Sequence, residues 1–175
     1  MKGLTKSSWD MKPLGEVLQV LNGYAFKSKQ FSATEGTPLI RIRDLKAGLG
    51  TVVNFVGDYD FQYVVNDGDL LIGMDGEFRC YEWQGGKALL NQRVCKLTGF
   101  SDELLPRFLF YGINKYLKEI ENRTAYTTVK HLSSKTIKSI DFPLPPLEEQ
   151  QRIVAVLDEA FEGLARARAH AEANL

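Results

Sequence analysis

The residues that could carry catalysis or hold a metal ion are few and widely separated in this sequence. Neither of the two histidines, His131 and His170, has a second metal-ligating residue at a useful spacing. The sequence contains no glycine-rich phosphate-binding motif and no grouping of serine, histidine and aspartate that suggests a nucleophilic mechanism. The residue types therefore predict a protein that is not an enzyme and that uses no cofactor and no metal.

The nearest approach to a paired-carboxylate site is the Asp-Gly-Glu sequence at residues 75–77. Residues 77–79, Glu-Phe-Arg, faintly resemble a metal-binding strand of a nuclease. Such a site would also need a nearby lysine and a further acidic ligand, which the sequence does not visibly provide. We interpret the segment as a polar turn between Ile72 and Tyr81.

The composition is that of an ordinary folded protein of 175 residues, with 44% hydrophobic residues, 25% charged residues and a formal net charge of zero. No apolar run approaches the ~18 residues that a membrane helix needs, and no apolar stretch follows the lysines near the N-terminus. We therefore expect a soluble cytoplasmic protein with no membrane partner. We expect Cys80 and Cys95 to be free buried thiols, and a disulfide between them is the alternative.

Cationic and aromatic residues are interleaved in two stretches, residues 22–46 and residues 111–138. Hydroxyls, backbone amides and cations position a protein on phosphates, whereas arginine, asparagine and glutamine read base edges. The candidate DNA-contacting side chains are Lys27, Lys29, Arg41, Arg43, Arg79, Gln92, Arg123, Tyr126, Thr127, Thr128 and Lys130. The alternative for each cation is a solvated position, paired with a surface carboxylate such as Asp44.

Short strands and tight turns must position the first of these stretches. An apolar face at Val17, Leu18 and Leu21 predicts a short helix over residues 9–22. The alternation at residues 39–43, Leu-Ile-Arg-Ile-Arg, predicts a half-buried strand with both arginines on its polar face. Further strands, separated by glycines, are predicted over residues 51–55, 69–73, 81–83 and 93–97.

Helical periodicity begins after Pro106 and predicts one helix through about residue 122 and a shorter one over residues 132–140. The stiff segment Pro143-Leu144-Pro145-Pro146 follows, and no helix can run through it. We place a domain boundary there, between residues 1–143 and residues 144–175. The predicted fold class is α+β, a mixed domain with a twisted, largely antiparallel sheet followed by a long C-terminal helix.

This C-terminal helix carries apolar residues in the spacing of a coiled coil. The predicted seam, with steps of 4, 3, 4, 3 and 4 residues, consists of Ile153, Leu157, Ala160, Leu164, Ala167 and Ala171. The alternative is one amphipathic helix packed on its own domain, because Val154, Val156 and Phe161 broaden the apolar face.

Residues 139–154, Ser-Ile-Asp-Phe-Pro-Leu-Pro-Pro-Leu-Glu-Glu-Gln-Gln-Arg-Ile-Val, closely resemble a junction found in the specificity subunits of type I restriction–modification systems. In that family the junction leads from a target-recognition domain into a conserved spacer helix. Residues 37–45 resemble the family's first strand pair, residues 67–76 its Gly-Asp segment, and residues 91–94 its Asn-Gln motif. The resemblance covers nearly the whole chain from about Leu14.

The resemblance implies a subunit in which two target-recognition domains are joined by two long antiparallel helices. Each domain would read one half of a split double-stranded DNA site, and the helices would set the spacing. Methyltransferase (modification) subunits and a motor–nuclease restriction subunit would dock on this assembly. With one domain and one helix, the chain would be a fragment of a longer subunit or a half-subunit that pairs with a copy of itself. A second spacer helix is therefore an expected partner.

Two other functions remain open from the sequence. The domain could be a piece of a single-chain restriction–modification enzyme, in which it follows a methyltransferase. The chain could also be a dimerising coiled-coil scaffold with no role in DNA binding. A mobility-shift experiment with a random duplex pool would separate DNA binding from a scaffold role.

Overall fold

The computed structural model of the chain describes residues 9–46, 50–124 and 131–173. Its strands there are β1 (Asp10–Pro13), β2 (Gln19–Asn22), β3 (Phe31–Ser32), β4 (Thr37–Ile40), β5 (Asn54–Phe55), β6 (Val64–Val65), β7 (Leu70–Gly73), β8 (Cys80–Glu82), β9 (Ala88–Leu90), β10 (Val94–Thr98) and β11 (Asp141–Leu144). Its helices there are α1 (Leu14–Val17), α2 (Ile42–Leu45), α3 (Pro106–Arg123), α4 (Ser134–Lys138) and α5 (Leu147–Ala173).

Most of the strands belong to two sheets. One sheet has the order β2-β10-β7-β8, and all its neighbouring strands are antiparallel. The other has the order β3-β5-β4-β9-β6, in which β4 and β9 are parallel and the remaining neighbours are antiparallel. A separate antiparallel pair joins β1 to β11. The α+β class with largely antiparallel pairing is therefore confirmed.

Strand β7 lies between two apolar layers, and all of its residues, Leu70–Gly73, are buried. Leu70 and Ile72 belong to the cluster that packs against α3 and α4. Leu71 joins a second cluster with Ile40 of β4. Because alternate side chains of a strand point to opposite faces, β7 is covered on both sides and is held rigidly in the centre of the domain.

The two cysteines are free and buried, as the sequence predicts. Cys80, Ile72 and Cys95 lie in one row across β8, β7 and β10. Two strand spacings, roughly 10 Å, therefore separate the cysteines, whereas bridged cysteines have Cα atoms within ~7 Å of each other. Burial raises the pKa of Cys95 to about 12 and also raises the pKa of Cys80, so neither thiol is reactive at neutral pH.

The helix predicted over residues 9–22 is wrong. A single helical turn, Leu14–Val17, lies between the strands β1 and β2. The pairing of β1 with β11 and of β2 with β10 outweighs the helical periodicity. The physical reason is that a short helix gains little stability without tertiary contacts. Val17 and Leu18 are nevertheless buried, in the cluster that packs against α3.

The strand predicted over residues 39–43 ends early, at Ile40. The Asp44 carboxylate accepts a hydrogen bond from the backbone N–H of Arg41 at 2.9 Å, and this cap favours the helical turn α2. The prediction that both arginines share the polar face of one strand is therefore wrong. Arg41 is half-buried before α2, and Arg43 is exposed on α2 itself.

The other predicted elements agree more closely with the structure. Helix α3 begins at Pro106, in the first turn, where a helix tolerates proline. Helix α4 lies within the predicted helical segment over residues 132–140, and α5 begins at Leu147. Strands β5, β7, β8 and β10 lie within one residue of the predicted segments. In the described part of the chain, no helix has the length and hydropathy for crossing a bilayer.

Helix α5 is attached to the domain by a fully buried glutamine, Gln150. Its Oε1 accepts a hydrogen bond from the backbone N–H of Leu105 at 2.9 Å. Its Nε2 donates to the carbonyl oxygens of Glu103 and Pro145, each at 2.8 Å. Because Leu105 immediately precedes α3, Gln150 ties the beginnings of α3 and α5 together.

We expect Gln150→Ala to lower the free energy of unfolding by about 2–4 kcal/mol, because one buried and two part-buried backbone groups lose their partner. The matched control is Gln151→Ala, which removes an exposed side chain and should change the free energy of unfolding by less than ~0.5 kcal/mol. Urea unfolding followed by circular dichroism measures both variants. Equal losses in the two variants would contradict the role of Gln150.

Candidate nucleic-acid interface

Several strands end in polar residues at one edge of the domain. Strands β4 and β9 are parallel neighbours, with Ile40 opposite Leu90, so the residues that follow the two strands lie side by side. Arg41 follows β4, and Asn91 and Gln92 follow β9. Gln92 is exposed, and its neighbour Asn91 is half-buried.

The end of β2 reaches this edge through a close backbone approach. The N–H of Gly23 donates to the carbonyl oxygen of Val94, and the N–H of Tyr24 donates to the carbonyl oxygen of Leu90, each at 2.9 Å. A Cβ atom on Gly23 would lie 2.1 Å from the carbonyl oxygen of Asn91, so this position requires glycine. Tyr24 is thereby held beside Asn91, with its side chain exposed.

Asp75, just past the end of β7, forms a polar cluster with Arg93 and His131. Its carboxylate accepts a hydrogen bond from the Arg93 guanidinium and lies 2.8 Å from Nδ1 of His131. The backbone supports the cluster, because Met74 N–H donates to the Arg93 carbonyl at 2.9 Å and Leu132 N–H donates to the Met74 carbonyl at 2.7 Å. The cluster therefore fastens His131, which directly follows the predicted DNA contact Lys130, to the four-stranded sheet.

These residues together form what we call the strand-end surface, which consists of Tyr24, Arg41, Asp75, Asn91, Gln92, Arg93 and His131. The side chain of Asp75 is 19% exposed, whereas those of Arg93 and His131 are 61% and 54% exposed. The Asp75 carboxylate is thus largely covered by Arg93 and His131, whose hydrogen-bond donors are exposed to solvent. Such side chains can contact phosphates or base edges.

The pKa of Asp75 lies below its ordinary value. Partial burial of the carboxyl group raises the pKa, but the hydrogen bonds from His131 and Arg93 and the positive charge of Arg93 outweigh burial. Asp75 is therefore ionised at neutral pH. Its charge holds the Arg93 and His131 side chains in place at the strand-end surface.

The polar turn predicted at residues 75–77 is present beside α2. Lys46 lies 2.8 Å from Glu77, and this hydrogen-bonded partner lowers the pKa of the Glu77 carboxyl group. Arg79 lies over the ring of Tyr81, with its Cζ atom 5.7 Å from the ring centroid. Among the residues that the structure describes, no group of histidine, cysteine, aspartate and glutamate could hold a metal ion.

The structure separates the predicted DNA-contacting residues into groups. Arg41 and Gln92 lie on the strand-end surface, and Arg43 lies next to it on α2. Lys27 and Lys29 are exposed at a 3-10 turn that leads into β3, at the outer edge of the five-stranded sheet. The structure therefore brings together some of the predicted contacts and leaves these two lysines elsewhere along the sheet.

Arg123, the last residue of α3, lines a separate cleft of about 500 Å³, together with Met11, Glu119 and Asp141. This cleft lies between α3 and the pair of strands β1 and β11. Four further predicted contacts lie outside the described residues and stay predictions: Tyr126, Thr127, Thr128 and Lys130.

The sequence-based reasoning missed Arg93 and His131 as members of the site. Arg93 directly follows Asn91 and Gln92, so a polar run before a strand was a usable signal for it. His131 carried no comparable signal, because its partner Asp75 is 56 positions away in the sequence. Only the topology shows that the two side chains meet.

The apolar residues of α5 occupy two faces. Val154 packs against the main core cluster, and Phe161 stacks on Tyr111 of α3. The predicted seam lies about a quarter turn away at ~100° per residue. Ile153 and Leu157 are half-buried there, and the other seam residues are exposed, namely Ala160, Leu164, Ala167 and Ala171. Ile153 also packs against the core cluster, so the two faces overlap at the beginning of α5 and diverge beyond it. Pairing along the seam stays a prediction.

Solved structures share this fold. A chain from a type I R-M system, in a structure concerned with complex assembly and conformational transition, matches with a TM-score of 0.74 and 25% identity, covering 99% of this chain and 44% of that chain. The HsdS subunit from Thermoanaerobacter tengcongensis matches with a TM-score of 0.69 and 23% identity, covering 94% of this chain and 40% of that chain. The fold is therefore that of a subunit class found in type I R-M systems.

The family model of the type I restriction modification DNA specificity domain matches residues 6–169, and the chain belongs to this family. The EcoBI specificity subunit of Escherichia coli is 40% identical over 166 residues, which cover 94% of this chain and 35% of that protein. The MjaVIII specificity subunit of Methanocaldococcus jannaschii is 26% identical over 166 residues, which cover 94% of this chain and 38% of that protein. The chain spans little more than a third of the length of these relatives.

The lowered pKa of Asp75 predicts a pH-dependent contribution to stability. Because the folded-state pKa lies below the unfolded value of about 4, the ionised carboxylate stabilises the fold above that value, and the contribution is lost as the pH falls through the folded-state pKa. We expect Asp75→Asn to lower the free energy of unfolding by about 1 kcal/mol at neutral pH, a modest amount since both partners are largely exposed.

Urea unfolding of the parent and the Asp75→Asn variant, from neutral pH down to about pH 3, measures this difference. The difference should shrink as the solution becomes acidic. The control is Asp102→Asn, which changes an exposed carboxylate and should give the parent's profile. A difference that stays constant across the pH range would show that the charge of Asp75 is not what stabilises the cluster.

Proposed function

We propose that the chain recognises one half of a bipartite double-stranded DNA target through the strand-end surface. The observation that carries the proposal is the convergence of Arg41, Gln92 and Arg93 at one edge, in a member of the DNA specificity domain family. Side chains that follow buried strands are positioned by a rigid backbone. Arginine and glutamine can each make two hydrogen bonds to the major-groove edge of a base.

The helix α5 supports the second part of the proposal, which concerns the other half of the target. Residues 1–143 would be the target-recognition domain, and residues 144–175 would be the proline junction and the spacer helix. The seam face would pack antiparallel against a second spacer helix, either from a longer chain or from a copy of this one. The exposure of Leu164, at 65%, leaves that face open to a partner.

The chain would act without catalysis of its own. It would hold the target DNA for a methyltransferase (modification) subunit and a restriction subunit, the partners that membership in this family implies. The assembly would act in the cytoplasm. A competing function, a coiled-coil scaffold with no DNA role, predicts self-association without sequence-selective DNA binding. The experiments below separate the two.

Selection of bound duplexes from a random pool, followed by titration of the selected duplex, tests DNA recognition. We expect Gln92→Ala to weaken binding to the selected sequence by about 1–3 kcal/mol and to relax the preference at one base position. The matched control is Gln84→Ala, since Gln84 is an exposed glutamine that follows β8, at the opposite ends of the strands. We expect this control to bind like the parent.

Titrations at two salt concentrations complete the test. Arg43→Ala should weaken binding to all sequences about equally and reduce the salt dependence if Arg43 contacts a phosphate. Lys87→Ala, at the start of β9 and therefore at the opposite edge, is its control. Unchanged affinity in both Gln92→Ala, on the strand-end surface, and Arg43→Ala, beside it on α2, would reject this side of the domain as the DNA face. A parent chain that selects no sequence would reject DNA recognition itself.

Lysine substitutions on the seam test whether the spacer helices pair along it. The double variant Leu157→Lys and Leu164→Lys should lose self-association or assembly with a second spacer helix, because two charges would enter an apolar seam. The control, Ala155→Lys with Ala169→Lys, puts the same charges on the opposite face of α5. Sedimentation measures association, and circular dichroism checks that the domain stays folded. Equal association in both double variants would show that the seam is not the interface.

A further inference from the structure

A second group of side chains, besides Gln150, connects α5 to the domain. Arg107, in the first turn of α3, lies between two carboxylates: its Nη1 is 2.6 Å from Oε2 of Glu82, and its Nη2 is 2.9 Å from Oδ1 of Asp158. Because Glu82 belongs to β8 and Asp158 to α5, one guanidinium joins three elements of the fold. We call this group the clasp, and its members are Glu82, Arg107, Tyr111, Asp158 and Phe161.

Aromatic contacts complete the clasp. The hydroxyl of Tyr111 donates to the carboxylate of Asp158. The ring of Tyr111 is stacked on the ring of Phe161, with an interplanar angle of 6° and centroids 5.4 Å apart. The Cζ atom of Arg107 lies 4.9 Å from the centroid of Tyr111. Hydrogen bonds, stacking and a cation–π contact therefore act on one turn of α5.

Ile153 and Val154 pack on the core, and polar contacts hold α5 at two separate points, Gln150 and the clasp. Gln150 and Asp158 are eight residues apart in the sequence, which corresponds to ~12 Å along the helix axis. A helix that is held at one point can swing about it, whereas a helix held at two points has a fixed direction. Beyond Phe161, residues 162–173 are exposed except for Gly163, and they project a further ~18 Å.

The length of this projection makes small rotations important. From Gln150 to Ala173 the helix is ~35 Å long, so a swing of ~10° about Gln150 would move its end by ~6 Å. Successive base pairs in duplex DNA are ~3.4 Å apart. A rotation that a single attachment point would permit thus exceeds one base-pair step.

We propose that the clasp fixes the direction in which α5 leaves the domain, and thereby the distance at which α5 holds a second recognition domain. Asp158 and Arg107 are positioning residues, because they act through the helix and not through contact with DNA. The part that concerns direction stands on the geometry of this chain, whereas the part that concerns DNA spacing rests on the proposed function.

The direction of α5 is measured by electron–electron distances between spin labels. Labels at Gln84→Cys, an exposed domain position away from Gln150, and at Ala169→Cys, near the end of α5, report this direction, and the native Cys80 and Cys95 are buried and react slowly. Labelled chain diluted into unlabelled chain removes distances between copies. We expect Asp158→Asn and Phe161→Ala each to broaden the distance distribution by about twofold or more. The control is Glu159→Gln, an exposed neighbour of Asp158 outside the clasp.

The spacing of half-sites is measured by titration of duplexes whose two selected half-sites are separated by different numbers of base pairs. We expect the parent to prefer one spacing, and the clasp variants to lose about threefold or more of that preference. Binding to an isolated half-site should be unchanged in the same variants. A purely structural loss of stability would instead weaken all duplexes together, including the isolated half-site.

Each outcome decides part of the proposal. Distance distributions that match the parent's in both clasp variants would reject the clasp as the determinant of helix direction. Broadened distributions with an unchanged spacing preference would reject its role in spacing. If the parent binds no DNA, the proposed function fails, and the label distances still decide whether the clasp fixes the helix. Phe161→Ala removes the stacked ring, and Asp158→Asn removes the charge that pairs with Arg107. If one variant fails to fold, the other still tests whether the clasp fixes the helix direction.

Discussion

The strand-end surface depends on the parallel pairing of β4 with β9. In an antiparallel pair, the residues that follow one strand lie beside those that precede its neighbour, whereas parallel pairing brings Arg41 and Asn91 to the same edge. The chain between these two strands also forms β7, which belongs to the other sheet and ends at this edge, before Asp75. Because β7 is buried on both faces, the position of Asp75 is fixed by packing and not by the loop that carries it.

The sequence predicts those elements whose signals are local. Helix α3, the proline junction and α5 follow from periodicity and from the positions of prolines. The two errors, at residues 9–22 and residues 39–43, fall on short segments in which strand pairing or a single cap by Asp44 decides the conformation. The candidate site is likewise predicted only in part. Arg41 and Gln92 could be identified from the sequence because they are polar residues beside predicted strands. Its central contact, between Asp75 and His131, depends on pairing across distant parts of the chain.

Helix α5 shows why hydrophobic periodicity alone cannot assign a helix to one partner. Besides apolar contacts, its attachments to the domain include polar ones that periodicity does not show, since Gln150 bonds backbone groups and Asp158 bonds Arg107 and Tyr111. The pattern of apolar positions predicts that Gln150 and Asp158 are exposed, and it identifies only the apolar seam. Beyond Ile153, which packs on the domain, the seam residues lie about a quarter turn from the face on which hydrogen bonds and an ion pair hold α5 to its own domain.

The balance of charges suits a module that recognises DNA in two halves. Three cations on or near the strand-end surface are paired with carboxylates: Arg93 with Asp75, Lys46 with Glu77, and Arg41, whose Nε lies 3.7 Å from Asp44.

These carboxylates reduce the positive potential of the surface, so a phosphate backbone without the correct bases gains little on approach. Under the proposed function, discrimination then depends more on base contacts than on charge, because specificity is a difference between two affinities. The modest affinity of one domain is compensated when a second domain binds the same duplex, since the second binding event becomes intramolecular. A rigid connection between the two domains would add a preference for one spacing of the half-sites, and the attachment of α5 at two points would supply that rigidity.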